Sequence, residues 1–160
     1  MASLFSSTGD LQLGMRLLAT TLDPFQQDME WFECELFVEG GSHAVEASSE
    51  ASVKTAVRGR LNRQEFNQLV AGLDELLASS RPLRFEPADL KFYFEWSHET
   101  PSVFLIITWF DLALSARSLE QRFPVAHVGY RFLADRSSLR SFREQLEGEF
   151  HRHDRPATVV

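Results

Sequence analysis

Hydrophobic periodicity switches from two to 3.6 twice along this 160-residue chain, and that double switch constrains the fold more than any other feature. Leu11, Leu13, Met15 and Leu17 alternate with Gln12, Gly14 and Arg16, the pattern of a half-buried strand. Alternation returns over 31–39 and again over 43–53, either side of Gly40-Gly41. The period then lengthens: Phe66, Leu69, Val70, Leu73, Leu76 and Leu77 form one helical stripe. Asn62 and Glu65 have the spacing of a capping box at its start, and Ser79, Ser80 and Pro82 end it. The second half repeats the style. Leu90, Phe92, Phe94 and Trp96 alternate, 103–114 is apolar on both faces, and Ala126, Val128, Tyr130 and Phe132 define a further inward face. Leu139, Phe142, Leu146 and Phe150 then fall at helical spacing. The expected order is βββα-βββα: an α+β domain over 9–150, with one curved antiparallel β-sheet of about six strands covered by two α-helices. Residues 1–8 and 151–160 are small or polar and are expected to be flexible termini.

A two-residue Gly-Gly turn favours a tight β-hairpin. Centring the turn on Gly40-Gly41 places Phe37 opposite Ala44, Glu35 opposite Glu46, Glu33 opposite Ser48 and Trp31 opposite Glu50. Phe32, Cys34, Leu36 and Val38 then share an apolar face with Val45, Ala47 and Ala51, leaving the other face acidic. Residues 1–53 hold nine acids against one base, Arg16, whereas 54–160 hold 14 acids and 15 bases. Like charges opposed across strands are destabilising, so folding alone gives no reason to build such a face. Trp31, Glu33, Glu35, Phe37, Glu46 and Glu50 are therefore the candidate partner-binding residues, aromatic anchors amid carboxylates that suit a basic protein. The opposing reading is that Arg58, Arg60 and Arg63, or a neighbouring strand, neutralise the face and cover the aromatics.

Charge and cysteine content exclude several classes. A net charge of −7 argues against a nucleic-acid or anionic-membrane binder. The single Cys34 excludes an intrachain disulfide and a multi-cysteine zinc site, and its inward position reads as a small hydrophobe. The start of the chain carries no signal-peptide pattern, and the longest apolar run is too short to span a bilayer, so a cytoplasmic protein is expected. Phosphate-binding, dinucleotide-binding, nucleophile-elbow and zinc-protease motifs are missing from the sequence. His151, His153 and Asp154 have metal-ligand chemistry but sit on the expected tail. Asp111, inside an apolar strand, reads as a structural or strand-end residue rather than a general acid. No enzyme, cofactor or metal is expected.

Three segments carry a family resemblance. Asp28-Met29-Glu30-Trp31-Phe32 resembles the Asp-x-Asn-Trp-Leu segment of WapI-type immunity proteins, small bacterial proteins that protect a cell from its own wall-associated contact toxin. Leu61-Asn62-Arg63-Gln64-Glu65-Phe66-x-x-Leu69 resembles that family's Leu-Thr-x-x-Glu-Leu-x-x-Leu helix start, and Phe85-Glu86-Pro87-Ala88-Asp89-Leu90-x-Phe92 its Phe-x-Glu-Pro-Asn-Leu-x-Phe stretch. The order is preserved from about Leu11 to Phe150, with Glu30 in place of Asn, Asn62 in place of Thr and Glu86 moved next to Phe85. The resemblance implies an immunity protein whose partner is an RNA-cleaving toxin domain; it transfers no site residues. A nuclease presents a basic cleft to phosphates, which an acidic inhibitor can occupy. The expectation is a bacterial immunity or inhibitor-like protein that blocks a basic toxin domain through the acidic hairpin face. The alternatives are a small-ligand module using Asp111, His127 or Tyr130 in a cavity between sheet and helices, or a subunit of a larger assembly. The toxin's identity and the oligomeric state are left open.

Overall fold

The computed structural model describes residues 1–26, 29–40, 54–89, 91–112 and 126–153. Each half of the chain folds as four antiparallel strands followed by a helix. In the first, β1 (Ala2–Phe5), β2 (Leu11–Leu22), β3 (Glu30–Gly40) and β4 (Lys54–Asn62) form a sheet in chain order, followed by α1 (Arg63–Ala78). In the second, β5 (Leu83–Phe85), β6 (Phe92–Thr100), β7 (Val103–Leu112) and β8 (Ala126–Asp135) form another, followed by α2 (Arg136–His153). The α+β class and the two helices agree with the sequence. The single six-stranded sheet and the βββα order do not: the described residues form two four-stranded sheets, their elements ordered ββββα-ββββα.

Two of the differences are added strands. Residues 2–5, expected to fray, pair with β2 from Ala2–Met15 to Phe5–Gln12, and Ala2 and Leu4 are fully buried. α2 fastens this strand, since Ser138 Oγ accepts from Phe5 N–H at 3.1 Å and Gln145 Oε1 from Ser3 N–H at 2.8 Å. Residues 83–85 make only three pairs with β6, too short a strand for alternation to reveal. The third difference concerns the hairpin. β3 pairs with β4, which starts at Lys54, so Glu35 lies opposite Arg58, Phe37 opposite Ala56 and Trp31 opposite Asn62. The pairing of Glu35 with Glu46 centred on Gly40-Gly41 is corrected; residues 41–53 lie outside those described.

α1 begins as its sequence dictates. Asn62 Oδ1 accepts from Glu65 N–H at 2.8 Å, and Glu65 Oε2 accepts from Asn62 N–H at 3.0 Å, completing the capping box. Glu65 Oε1 also accepts from Ala88 N–H at 2.7 Å, which ties the segment before β6 to the helix start. The other end of α1 has no basic residue in its last turn. Its carbonyls are met from a distance instead: His98 Nε2–H donates to Leu76 O and Ser79 O, both at 2.7 Å, and Arg136 donates to Leu77 O.

One core joins both sheets and both helices. Phe32 of β3 packs on Phe66 and Phe150, whose rings stack at 4.4 Å between centroids, while Trp96 of β6 meets Phe142. The helices run antiparallel, because Phe66 near the start of α1 meets Phe150 near the end of α2 and Asp74 further on meets Arg143. Fully burying a side chain of this size stabilises by about 1.5–3 kcal/mol. Both sheets therefore have one face committed to packing, and any binding surface built on them must use the other.

Candidate functional site

The outward face of the first sheet is where the sequence places the site, and its carboxylates stand opposite cations. Arg16, Glu35 and Arg58 stand in one cross-strand row, with Arg58 Nε 3.8 Å from Glu35 Oε2. Glu33 is opposite Arg60 and Glu39 opposite Lys54. Three carboxylates thus share the face with four cations: Glu33, Glu35 and Glu39 with Arg16, Lys54, Arg58 and Arg60. The aromatics are occupied as well. Phe37 is 5% exposed, with the Lys54 ammonium 5.0 Å from its ring centroid. Its ring covers Gly14 on β2; a Cβ there would come within 2.1 Å of it. Trp31 is half-buried under the Arg60 guanidinium, 5.6 Å from the ring, and its indole N–H donates to Asp23 Oδ2 at 3.1 Å. Glu46 and Glu50 lie outside the described residues. Among the described residues this is a neutralised surface, not an acidic one.

The outward face of the second sheet is different. On β6 it carries Tyr93 and Glu95, on β7 Leu105, Ile107, Trp109 and Asp111, and on β8 His127, Gly129, Arg131 and Leu133. Trp109 is 39% exposed and Leu133 42%. The Trp109 ring lies across Gly129, the residue opposite it, where a Cβ would come within 2.6 Å. Beside this ring is a concavity of about 650 Å³ lined by Phe92, Tyr93, Trp109 and His127 with the carboxylates Glu86, Glu95 and Asp111. Tyr93 Oη–H donates to Glu95 Oε1 at 2.6 Å, a bond that holds the phenol above its ordinary pKa. Asp111 Oδ1 is buried and accepts no hydrogen bond among the described residues, while the Asp111 backbone N–H donates to Lys91 O at 2.9 Å. Among the described residues, no cation lies in ion-pair range of Glu86, Glu95 or Asp111.

Asp111 and His127 are therefore brought together, as cross-strand neighbours, but on the face turned away from the helices. Tyr130 is not with them. It faces inward, edge-on to Phe110, and bonds the Thr55 hydroxyl. Tyr93, Glu86 and Trp109 were not singled out by sequence; the signal for Trp109 was its outward position in a strand that otherwise reads as buried on both faces. Cys34 is fully buried, with its thiol pushed up to about 12 by that burial. His151 and His153 belong to α2, Asp154 lies outside the described residues, and among those described no metal-ligating cluster forms.

A second exposed aromatic sits on the turn between β2 and β3. Asp23 Oδ1 accepts from Phe25 N–H at 2.8 Å and Gln26 N–H at 3.1 Å. The first of these bonds, with that from Trp31, holds the Asp23 carboxyl below its ordinary pKa. The turn displays Phe25 at 95% exposure. The groove of about 930 Å³ between it and α1 is edged by amides and by the Arg63–Glu30 ion pair, so it lacks unpaired charge.

No helix among the described residues is long and apolar enough to cross a membrane. The chain matches no protein-family model, no curated protein and no solved structure.

Proposed function

We propose that this chain is an immunity-type inhibitor that binds a basic toxin domain and blocks it stoichiometrically, docking through the outward face of the second sheet. The observation that carries the reading is the concavity beside Trp109, where an exposed aromatic ring stands among three carboxylates that form no ion pair among the described residues. A large aromatic that is partly dry and partly wet is the usual anchor of a protein interface. Unpaired carboxylates around it add attraction for a basic surface, speed encounter and reject acidic competitors. The net charge of −7 acts in the same direction over longer range. The resemblance to WapI-type immunity proteins supplies the partner class, an RNA-cleaving toxin whose phosphate-binding cleft must be basic.

The face differs from the one the sequence favours, while the chemistry is retained. Glu33 and Glu35 stand opposite arginines in their own sheet, so a partner there would have to displace Arg60 and Arg58 before using them. Glu86 and Asp111 need no such exchange, whereas Glu95 stands opposite Arg84.

The test is growth rescue. The C-terminal domain of the protein encoded immediately upstream is expressed with and without this chain, and colonies are counted. Inhibition predicts that a lethal domain becomes tolerated, and that Trp109→Ala abolishes protection while the protein stays folded. A lethal domain that the wild-type chain fails to neutralise removes the reading for that partner.

A further inference from the structure

We infer that the concavity on the second sheet receives an arginine side chain of the partner, its guanidinium stacked on Trp109 and bonded to Asp111. This rests on the inhibitor reading above and specifies the group that the inhibitor recognises.

Trp109 and Asp111 are two residues apart on one strand, so both side chains leave the same face about 7 Å apart. The tryptophan ring is held as a plate by the absence of a side chain at Gly129, which lets it lie across the neighbouring strand. A planar cation suits that plate, since the ring face is electronegative and a guanidinium can lie flat on it. The carboxylate beside the plate has one enclosed oxygen, Asp111 Oδ1, with no donor among the described residues. Asp111 as a whole is only half-buried and lines the concavity, so its outer oxygen, not the enclosed Oδ1, is the acceptor open to a ligand N–H.

The other carboxylates fix the type of donor. Glu95 Oε1 is already bonded by the Tyr93 hydroxyl, and Arg84 stands opposite Glu95 in the register. Asp111 stands between His127 on β8 and Lys91, whose carbonyl accepts its N–H, and forms an ion pair with neither among the described residues. It is therefore the principal acceptor, with Glu86 and Glu95 setting the potential at the rim. Arginine fits better than lysine because a flat, forked cation can stack and donate to a carboxylate at once, whereas an ammonium is a hydrated point charge. The volume of about 650 Å³ takes that side chain together with the backbone on either side of it.

The experiment is a titration of the full ¹⁵N-labelled chain with the blocked peptide acetyl-Gly-Arg-Gly-amide, alongside its citrulline and lysine counterparts. Citrulline keeps the shape of arginine and removes the charge. The arginine peptide is expected to move the Trp109 indole and the Asp111 and His127 amide resonances saturably at roughly millimolar concentration, as befits a single side-chain contact. Citrulline should bind at least about tenfold more weakly, lysine should fall between, and Asp111→Asn should lose about tenfold with its spectrum otherwise unchanged. Glu95→Gln, which keeps the Tyr93 acceptor, should lose less. An equal response to citrulline, shifts centred elsewhere, or full binding by Asp111→Asn would overturn the assignment. Growth rescue separates the two levels. Rescue without an arginine response removes the arginine site and leaves the inhibitor; an arginine response without rescue does the reverse.

Discussion

The described residues of both halves run ββββα, and both lay an aromatic ring from one strand across a glycine of the next: Phe37 over Gly14 in the first sheet, Trp109 over Gly129 in the second. An aromatic that covers a cross-strand glycine supplies the surface the glycine lacks. From there the halves diverge. Phe37 is nearly sealed from water and is flanked by rows of opposite charge, Arg16–Glu35–Arg58 and Glu39–Lys54. Trp109 keeps more than a third of its surface open and is flanked by carboxylates that form no ion pair among the described residues, Glu95 alone being bonded, by the Tyr93 hydroxyl. The same device thus serves stability on one sheet and remains available for recognition on the other. A surface whose polar groups already satisfy one another has little to offer a partner; one that leaves them unsatisfied does.

The largest expected effect follows from that contrast in burial. Phe37→Ala should destabilise by about 3–5 kcal/mol, the range for deleting a buried aromatic ring. Trp109→Ala should cost about 1 kcal/mol, because much of its surface is already in water. Urea midpoints of the two variants measure this directly, and equal losses would mean that the two outward faces are not distinct. The glycines beneath the rings should follow the same order. Gly14→Ala drives a Cβ to 2.1 Å from a ring that has nowhere to go, an overpacking cost of about 1–3 kcal/mol. Gly129→Ala meets the Trp109 ring at 2.6 Å, but that ring can swing toward solvent, so stability should fall by less than about 1 kcal/mol while indole fluorescence reports a new environment. A Gly129→Ala protein as destabilised as Gly14→Ala would show that Trp109 is locked in place.

What the sequence could and could not convey divides along the same line between local and distant causes. The helices were legible because their signals are local: the Asn62–Glu65 capping box, the buried stripe Phe66, Leu69, Leu73 and Leu76, and Leu139, Phe142 and Leu146 in α2. So were the inward residues of β3, Phe32, Cys34, Leu36 and Val38, which the period of two fixes whatever strand lies alongside. The partner of β3 was not legible. Gly40-Gly41 is a strong local turn signal, yet the strand paired with β3 starts at Lys54, where Lys54, Arg58 and Arg60 come opposite Glu39, Glu35 and Glu33. Each opposite-charge pair contributes about 0.2–1 kcal/mol, and a turn motif says nothing about such distant matches. β1 escaped notice for a related reason: Ala2 and Leu4 carry too weak a pattern on their own, and are buried by β2 and a helix from the far end of the chain. The concavity draws Glu86, Tyr93, Trp109, Asp111 and His127 from four separate stretches, and only Asp111 and His127 stand out as functional groups in the sequence.

The smallest expected effect is the most direct test of paired against unpaired charge. Glu35→Lys sets a third cation between Arg16 and Arg58, and like charges across strands should lower stability by about 0.2–1 kcal/mol per contact. Asp111→Asn removes a charge that no described cation balances, so stability should change by less than about 0.5 kcal/mol in either direction. Thermal melts at low and high salt distinguish the two, since screening should relieve part of the Glu35→Lys penalty and leave Asp111→Asn unmoved. Binding should rank them in reverse, with toxin protection surviving Glu35→Lys and weakened by Asp111→Asn. If Asp111→Asn proves the more destabilising, that carboxylate already has a structural partner, and the second sheet would be as self-satisfied as the first.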